Sequence, residues 1–264
     1  MKTFSNTLFR AYYPAERLKM KRTVARKLFF VMPVLTVALV FALSGRYVVI
    51  NGYNWWYMML LPGVLTLVCC MTGQTDRRLG NRAISALPID LKQVWDAKVL
   101  VCIKAVILGN VVLYLTVTAA GILINQISNM DGIHVITPQQ GFLAVLVMTV
   151  GCIWQVPLCL WMNERFGLYL TLFVNVALNV GSAIIVSLKD YWFVNPYAVT
   201  SRAMCPILKV LPNGLIARPG SVTYTPELMK VQMIPAGICI CLLCLALLWA
   251  VSRKWYEKKG VQAV

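Results

Sequence analysis

Charge is scarce in this 264-residue chain. Asp, Glu, Lys and Arg together make up 13% of it, where a soluble domain carries about a quarter. Acidic residues are the scarcest: nine, against 25 Lys and Arg, and there is one histidine, His134. The absences extend to motifs. No G-x-x-x-x-G-K-S/T loop is present, so the chain has no ordinary means of holding ATP. There is no G-x-S-x-G elbow and no H-E-x-x-H pair, which removes the common hydrolase and zinc-protease chemistries. The nine acids are Glu16, Asp76, Asp90, Asp96, Asp131, Glu164, Asp190, Glu227 and Glu257, and none lies near the middle of an apolar run. A proton-coupled carrier needs a titratable group at membrane depth, and this sequence offers none. A sodium-coupled carrier can use carbonyls freed at broken helices. Pro62-Gly63 and Gln155-x-Pro157 are candidate breaks, so that route is weakened and not removed. The simplest account is that any driving energy comes from another polypeptide.

What is abundant is apolar: 59% of residues. Six long runs stand out, at 28–44, 55–73, 99–124, 141–162, 166–188 and 231–251, with Lys104 near the start of the third. About 20 residues cross the roughly 30 Å of bilayer hydrocarbon. The runs are apolar all round and lack the polar stripe of a soluble core helix. The expected fold is therefore an all-α polytopic membrane protein with six transmembrane helices. Its parts would be an N-terminal basic interfacial helix (1–27), the membrane domain (28–251) and a tail (252–264). The net charge of +16 would suit a nucleic-acid binder, but the basic residues gather at the ends of the runs and do not form one surface. Segments 1–27, 74–98, the turn at Arg165 and the tail hold eighteen Lys and Arg, and the alternate loops hold six. The positive-inside rule then puts both termini in the cytoplasm. The basic leader is too long for the n-region of a cleavable signal peptide, so the first run is expected to be an uncleaved signal anchor.

Nine cysteines are present, eight of them inside the runs, where Cys acts as a small hydrophobe. An odd number with only Cys205 in a loop argues against a disulfide framework. Cys239, Cys241 and Cys244 do not have zinc-knuckle spacing, and no metal site is expected.

Four segments could carry function. In the leader, Phe4, Leu8, Phe9 and Tyr12 recur near helical spacing, Pro14 is expected to break the helix, and 16–27 is strongly basic. Such a stretch lies on an anionic leaflet; it is either a topological anchor or also a brace for a cytoplasmic partner. The 74–98 loop reads as two short amphipathic helices divided at Pro88, the second with Leu91, Val94 and Trp95 on one face. It is either a solvated loop or a docking element for a cytosolic protein. The outer segment 189–230 is rich in aromatics and proline. Tyr191, Trp192, Phe193 and Tyr197 suit an interfacial belt or the outer end of a substrate path. The piece 205–210 is too short to span, reads as interfacial or re-entrant, and ends in a Pro-Asn-Gly turn at 212–214. Within the runs, Asn175 and Asn179 lie at i, i+4, as do Asn110 and Tyr114. These are either glue between helices or substrate contacts.

The order of these parts resembles the type 2 ABC transporter permeases. The local sequence is most similar to the lantibiotic immunity permeases of the MutE/EpiE type. The pieces that carry the likeness are Glu16-x-x-Lys19-x-Lys21-Arg22-Thr23-x-x-Arg26-Lys27-Leu28, Asn54-Trp55-Trp56-Tyr57 with Leu61-Pro62-Gly63, and Leu87-Pro88-Ile89 ahead of Lys98. Asn195-Pro196-Tyr197, Pro206-Ile207-Leu208 and Leu211-Pro212-Asn213-Gly214 follow. Single motifs are weak; their order and spacing cover nearly the whole chain. The resemblance implies a subunit that works with a cytosolic ABC ATPase dimer, which binds the ATP and Mg, and with a second homologous permease or another copy of itself. The implied complex expels a cationic, amphipathic, pore-forming peptide from the cytoplasmic membrane of a Gram-positive bacterium. It also implies that the 74–98 loop couples to the ATPase, with Leu87, Pro88, Ile89, Trp95 and Asp96 as contacts and Arg77, Arg78 and Arg82 at the rim. Asn175, Asn179, Trp192, Phe193 and Tyr197 become candidates for the substrate path. Export of another drug, lipid or peptide, and ion-coupled secondary transport, stay open as alternatives.

Overall fold

The computed structural model describes residues 2–21, 23–77, 89–127 and 136–261, with side chains for 11–21, 23–76, 89–127 and 136–258. Among the described residues the chain is helical nearly throughout, with no strand and one isolated bridge between Val210 and Ile216. The helices are α1 (Lys2–Lys21), α2 (Ala25–Ser44), α3 (Val48–Trp55), α4 (Leu61–Arg77), α5 (Leu91–Ile127), α6 (Pro138–Ile153), α7 (Gln155–Phe166), α8 (Leu168–Ile184), α9 (Pro196–Leu208) and α10 (Met233–Val261).

Among the described residues, five helical stretches are long and apolar enough to cross a membrane: Ala25–Asp76, Leu91–Ile127, Pro138–Phe166, Leu168–Leu188 and Met233–Lys258. The chain reads as a multi-pass membrane protein. Burial sorts these stretches into layers. Over its most apolar window Pro138–Phe166 is 67% buried, and Met233–Lys258 only 17%, so α6–α7 forms the centre and α10 a wall. Phe30, Leu35 and Leu39 on α2, and Leu243, Leu247 and Val251 on α10, stand exposed. Water would penalise such faces; acyl chains do not. That is why the runs look apolar all round: one face packs inward and the other is solvated by lipid.

The first stretch does not run straight. It turns at Gly45, whose φ of +51° is left-handed and favours a residue without a Cβ. Phe29 of α2 packs on Gly109 of α5, and Trp56 Nε1 donates to Asn110 Oδ1 at 2.9 Å, one residue further along the same helix. The chain thus meets one level of α5 twice. Beyond the turn, Val49 faces Gly121, Gly52 faces Val117, Thr72 meets Cys102 and Asp76 meets Lys98, so α3–α4 runs antiparallel to α5.

Both suspected helix breaks coincide with irregularities. A wide π-helical turn, Trp56–Leu60, precedes Pro62, whose missing N–H leaves a carbonyl one turn earlier without a partner. Trp154 separates α6 from α7, just ahead of Pro157. Two boundaries differ from expectation. Pro14 does not divide α1, which is one helix through it; Pro14 is exposed, where water satisfies the carbonyl it frees. The second helical pattern of the 74–98 loop is no separate helix but the opening turns of α5. That helix is 37 residues long, about 55 Å at 1.5 Å per residue, and so reaches well beyond a hydrocarbon layer of about 30 Å. The outer segment forms α9 and not a piece at 205–210. Asn195 caps it by accepting from Tyr197 N at 3.0 Å, and Pro196 fits the first turn. The expected turn follows, with Gly214 at φ +81° and the Asn213 side chain accepting from Leu215 N at 3.1 Å.

Candidate functional site

Two polar centres are built into the bundle. The first sits where α1, α4 and α5 meet. Lys98, on the third turn of α5, has 1% of its side chain exposed, and the facing carboxylates of Glu16 and Asp76 are 4% and 5% exposed. Lys98 Nζ lies 3.2 Å from Glu16 Oε2 and bonds Asp76 Oδ2. Lys19 closes the ring from one helical turn beyond Glu16, at 2.6 Å from Glu16 Oε1 and 2.8 Å from Asp76 Oδ1. Each carboxylate is shared between both ammoniums. Two cations and two anions cancel, which is the condition for burying charge at tolerable cost.

A second set of contacts ties the same stretch of α5 to α10. Trp95 is fully buried; its Nε1 donates to Ser252 Oγ at 3.0 Å, and its ring lies 4.8 Å from that of Tyr256. Asp96 accepts from Trp249 Nε1 at 2.7 Å and pairs with Arg253 at 2.9 Å. Lys92 pairs with Glu257 at 2.8 Å. Residues expected at the docking loop therefore divide. Arg78, Arg82, Leu87 and Pro88 lie outside the described residues, as does the Arg77 side chain. Ile89 is half-buried against the core. Trp95 and Asp96 face α10 inside the chain. The ring of Glu16, Asp76 and Lys98 was not singled out in the sequence. The available signal was Glu16 itself, the one acid in a leader of eight basic residues.

The second centre is uncharged and lies among α4, α7, α8 and α9. Asn175 Nδ2 donates to Thr66 Oγ1 at 2.9 Å and to Gln155 Oε1 at 3.0 Å. Gln155 and Asn179 exchange two bonds, at 3.1 and 3.0 Å. Tyr197 OH donates to Asn175 Oδ1 at 3.2 Å, and Thr66 Oγ1 donates to Pro62 O at 2.7 Å. The structure thus joins Asn175, Asn179 and Tyr197 and adds Thr66 and Gln155. Gln155 is the first residue of α7, directly after Trp154. Trp192 and Phe193 are not part of it. Trp192 is buried beside Trp154 and Val199, and Phe193 is 52% exposed. The outer segment has an anchor of its own. Arg202 is buried and donates to the carbonyls of Ser187 at 2.9 Å and Glu227 at 3.2 Å, with its guanidinium 5.9 Å from the Trp192 ring centre. It thereby holds both ends of the 189–230 segment.

Among the described residues no group of His, Cys, Asp and Glu could hold a metal ion. Cys205, expected in a loop, lies on α9 and is fully buried; that burial pushes its thiol up to about 12, which keeps it protonated and unreactive. Compared with known proteins, the chain matches no family model, no curated protein and no solved structure.

Proposed function

We propose that this chain is the membrane-spanning subunit of an ATP-driven exporter, of the type 2 ABC permease kind, that removes a lantibiotic or similar cationic amphipathic peptide from a bacterial cytoplasmic membrane. One observation supports it above the others. Both flanks of the 78–88 segment are locked into the bundle, the leading flank through Asp76 and the trailing one through Lys92, Trp95, Asp96 and Lys98. The same contacts gather α1, α4, α5 and α10. A push on that segment by a soluble ATPase would reach four helices at once, which is what a passive gate needs from a coupling point. In this reading Leu87, Pro88 and Ile89 meet the ATPase, and Arg77, Arg78 and Arg82 form the rim. Trp95 and Asp96 pass the motion to α10. ATP and Mg stay on the partner.

The doubled first stretch supports six crossings, since its two arms run oppositely along α5. With an even number, both termini lie on the cytoplasmic side that the charge count selects. The neutral network of Asn175, Asn179, Gln155, Thr66 and Tyr197 contains no carboxylate, which speaks against proton coupling.

The test is reconstitution. A Walker-motif ATPase encoded beside this chain should co-purify with it, and protection of cells from a lantibiotic should vanish when that ATPase is catalytically dead. Uphill solute movement by the purified chain alone, in liposomes with an ion gradient, sinks the proposal. Single-cysteine labelling from either side of the membrane tests the six crossings: positions 46 and 254 should react from opposite faces.

A further inference from the structure

α1, α2 and α5 enclose a groove of about 450 Å³, within the size range of small-ligand sites. Among the described residues four cations line it, Arg17, Lys21, Arg26 and Lys104, and no carboxylate does. All four are exposed, and among the described residues none of them has an ion-pair partner. This contrasts with Lys19 and Lys98 close by, which are neutralised by Glu16 and Asp76. Lys104 is the unusual member. It stands six residues beyond Lys98 inside an apolar run, about 9 Å deeper along the helix at 1.5 Å per residue. An ammonium there has to reach toward an interface or find an anion.

The floor of the groove is apolar, formed by Phe29, Phe30 and Leu108 among others. It opens onto the lipid-facing sides of α2 and α5, where Val34, Ile107 and Val111 stand exposed. A positive pocket that leads into an acyl-chain track fits one class of occupant. We propose that this groove is a binding site for an anionic phospholipid, its phosphate held by Lys104, Arg26, Arg17 and Lys21 and one acyl chain lying along Phe30 and Leu108. The site is specific to this corner of the molecule and distinct from a general attraction of the basic leader to a charged surface. It is lined by residues of both α1 and α5, the helices that the Glu16–Lys98 pair joins, so a bound lipid would steady the same junction.

The proposal rests on the membrane reading and on no ATPase, so it can fail while the exporter reading stands, and the reverse. The full-length chain is purified in detergent, and its thermal unfolding and native mass spectrum are followed with added phosphatidylglycerol or phosphatidylcholine. Phosphatidylglycerol should bind and raise the midpoint, and phosphatidylcholine should not. At about 1 kcal/mol per basic residue near an anionic surface, Lys104→Gln or Arg26→Gln should weaken phosphatidylglycerol binding about fivefold. Control variants Lys27→Gln and Lys254→Gln, exposed cations outside the groove, should leave it unchanged. Equal losses in groove and control variants would mean non-specific charge attraction and overturn the site. Equal stabilisation by inorganic phosphate at matched occupancy would overturn the lipid assignment, because the acyl track would then contribute nothing.

Discussion

Lys98 and Glu16 are separated by 82 positions in the chain and by 3.2 Å in space. Their contact joins the N-terminal helix to the core of the bundle through a buried charge. A buried pair adds little to stability over an apolar substitute, yet removal of one partner costs about 3–5 kcal/mol because the other charge is left stranded. Lys98→Met should therefore lower the unfolding midpoint sharply in detergent. The triple variant Glu16→Gln, Asp76→Asn, Lys98→Met should recover much of the loss, since it strands no anion. Lys19 is 34% exposed, so Lys19→Met should cost far less, with water screening what remains. A Lys98→Met protein that melts like the parent would show that the ring does not form.

In the uncharged network, Gln155 is the member bonded to both asparagines. Gln155→Leu keeps the volume and leaves two amides short of partners. Each buried polar group so orphaned costs about 1–3 kcal/mol. Thermal unfolding should report a fall of that order, and Phe193→Ala, at an exposed position, should report almost none. If the network also lines a peptide path, protection of cells should fall in Asn175→Leu by more than its melting temperature accounts for.

Two glycines of α8 and its approach should respond oppositely to the same methyl group. Gly167, between α7 and α8, has φ +85° and ψ 178°, a region essentially reserved for glycine, and an added Cβ would meet no atom within 4 Å. The cost of Gly167→Ala is thus conformational, about 1–3 kcal/mol. Gly181 lies within the helix with equally open space. Gly181→Ala should stabilise by about 0.5–1 kcal/mol through helix propensity. Equilibrium unfolding of the two single variants checks both signs.

Much of this fold was legible because bilayer length and hydropathy constrain it strongly. The runs, the outer Pro-Asn-Gly turn and the irregularities at Pro62 and Pro157 follow from local chemistry. Side-chain destination was harder to read. Trp95 makes the same local pattern whether its ring meets a soluble partner or another helix of the chain, and its contacts with Ser252 and Tyr256 of α10 decide. Pro14 signalled a break that α1 does not take, because proline on an exposed helix face frees a carbonyl to water and not into a core. Lys98 stood out in the sequence as a basic residue of the 74–98 loop and as the end of one resembling piece, with no sign of burial. Its burial depends on Glu16 and Asp76 arriving from two other helices, and no local pattern encodes that. Asn175 and Asn179 could be seen as a pair, whereas their link to Gln155 depends on how α7 packs against α8, which no local pattern encodes.

The doubling back of the first stretch rests on close packing of α2 against α5, and one contact tests it. A methyl group built on Gly109 would overlap the Phe29 ring, so Gly109→Ala should destabilise by forcing the two helices apart. Phe29 is 1% exposed, and Phe29→Ala should cost about 3–5 kcal/mol through the cavity it leaves. The two changes should not add. With the ring gone, the new methyl enters vacated space, and the double variant should be more stable than the sum of the singles predicts, by about 0.5–3 kcal/mol for residues in direct contact. A double-mutant cycle in detergent measures this term. Strict additivity would separate Phe29 from Gly109, and α2 would then no longer reach the level of α5 that Trp56 meets on the way back through Asn110.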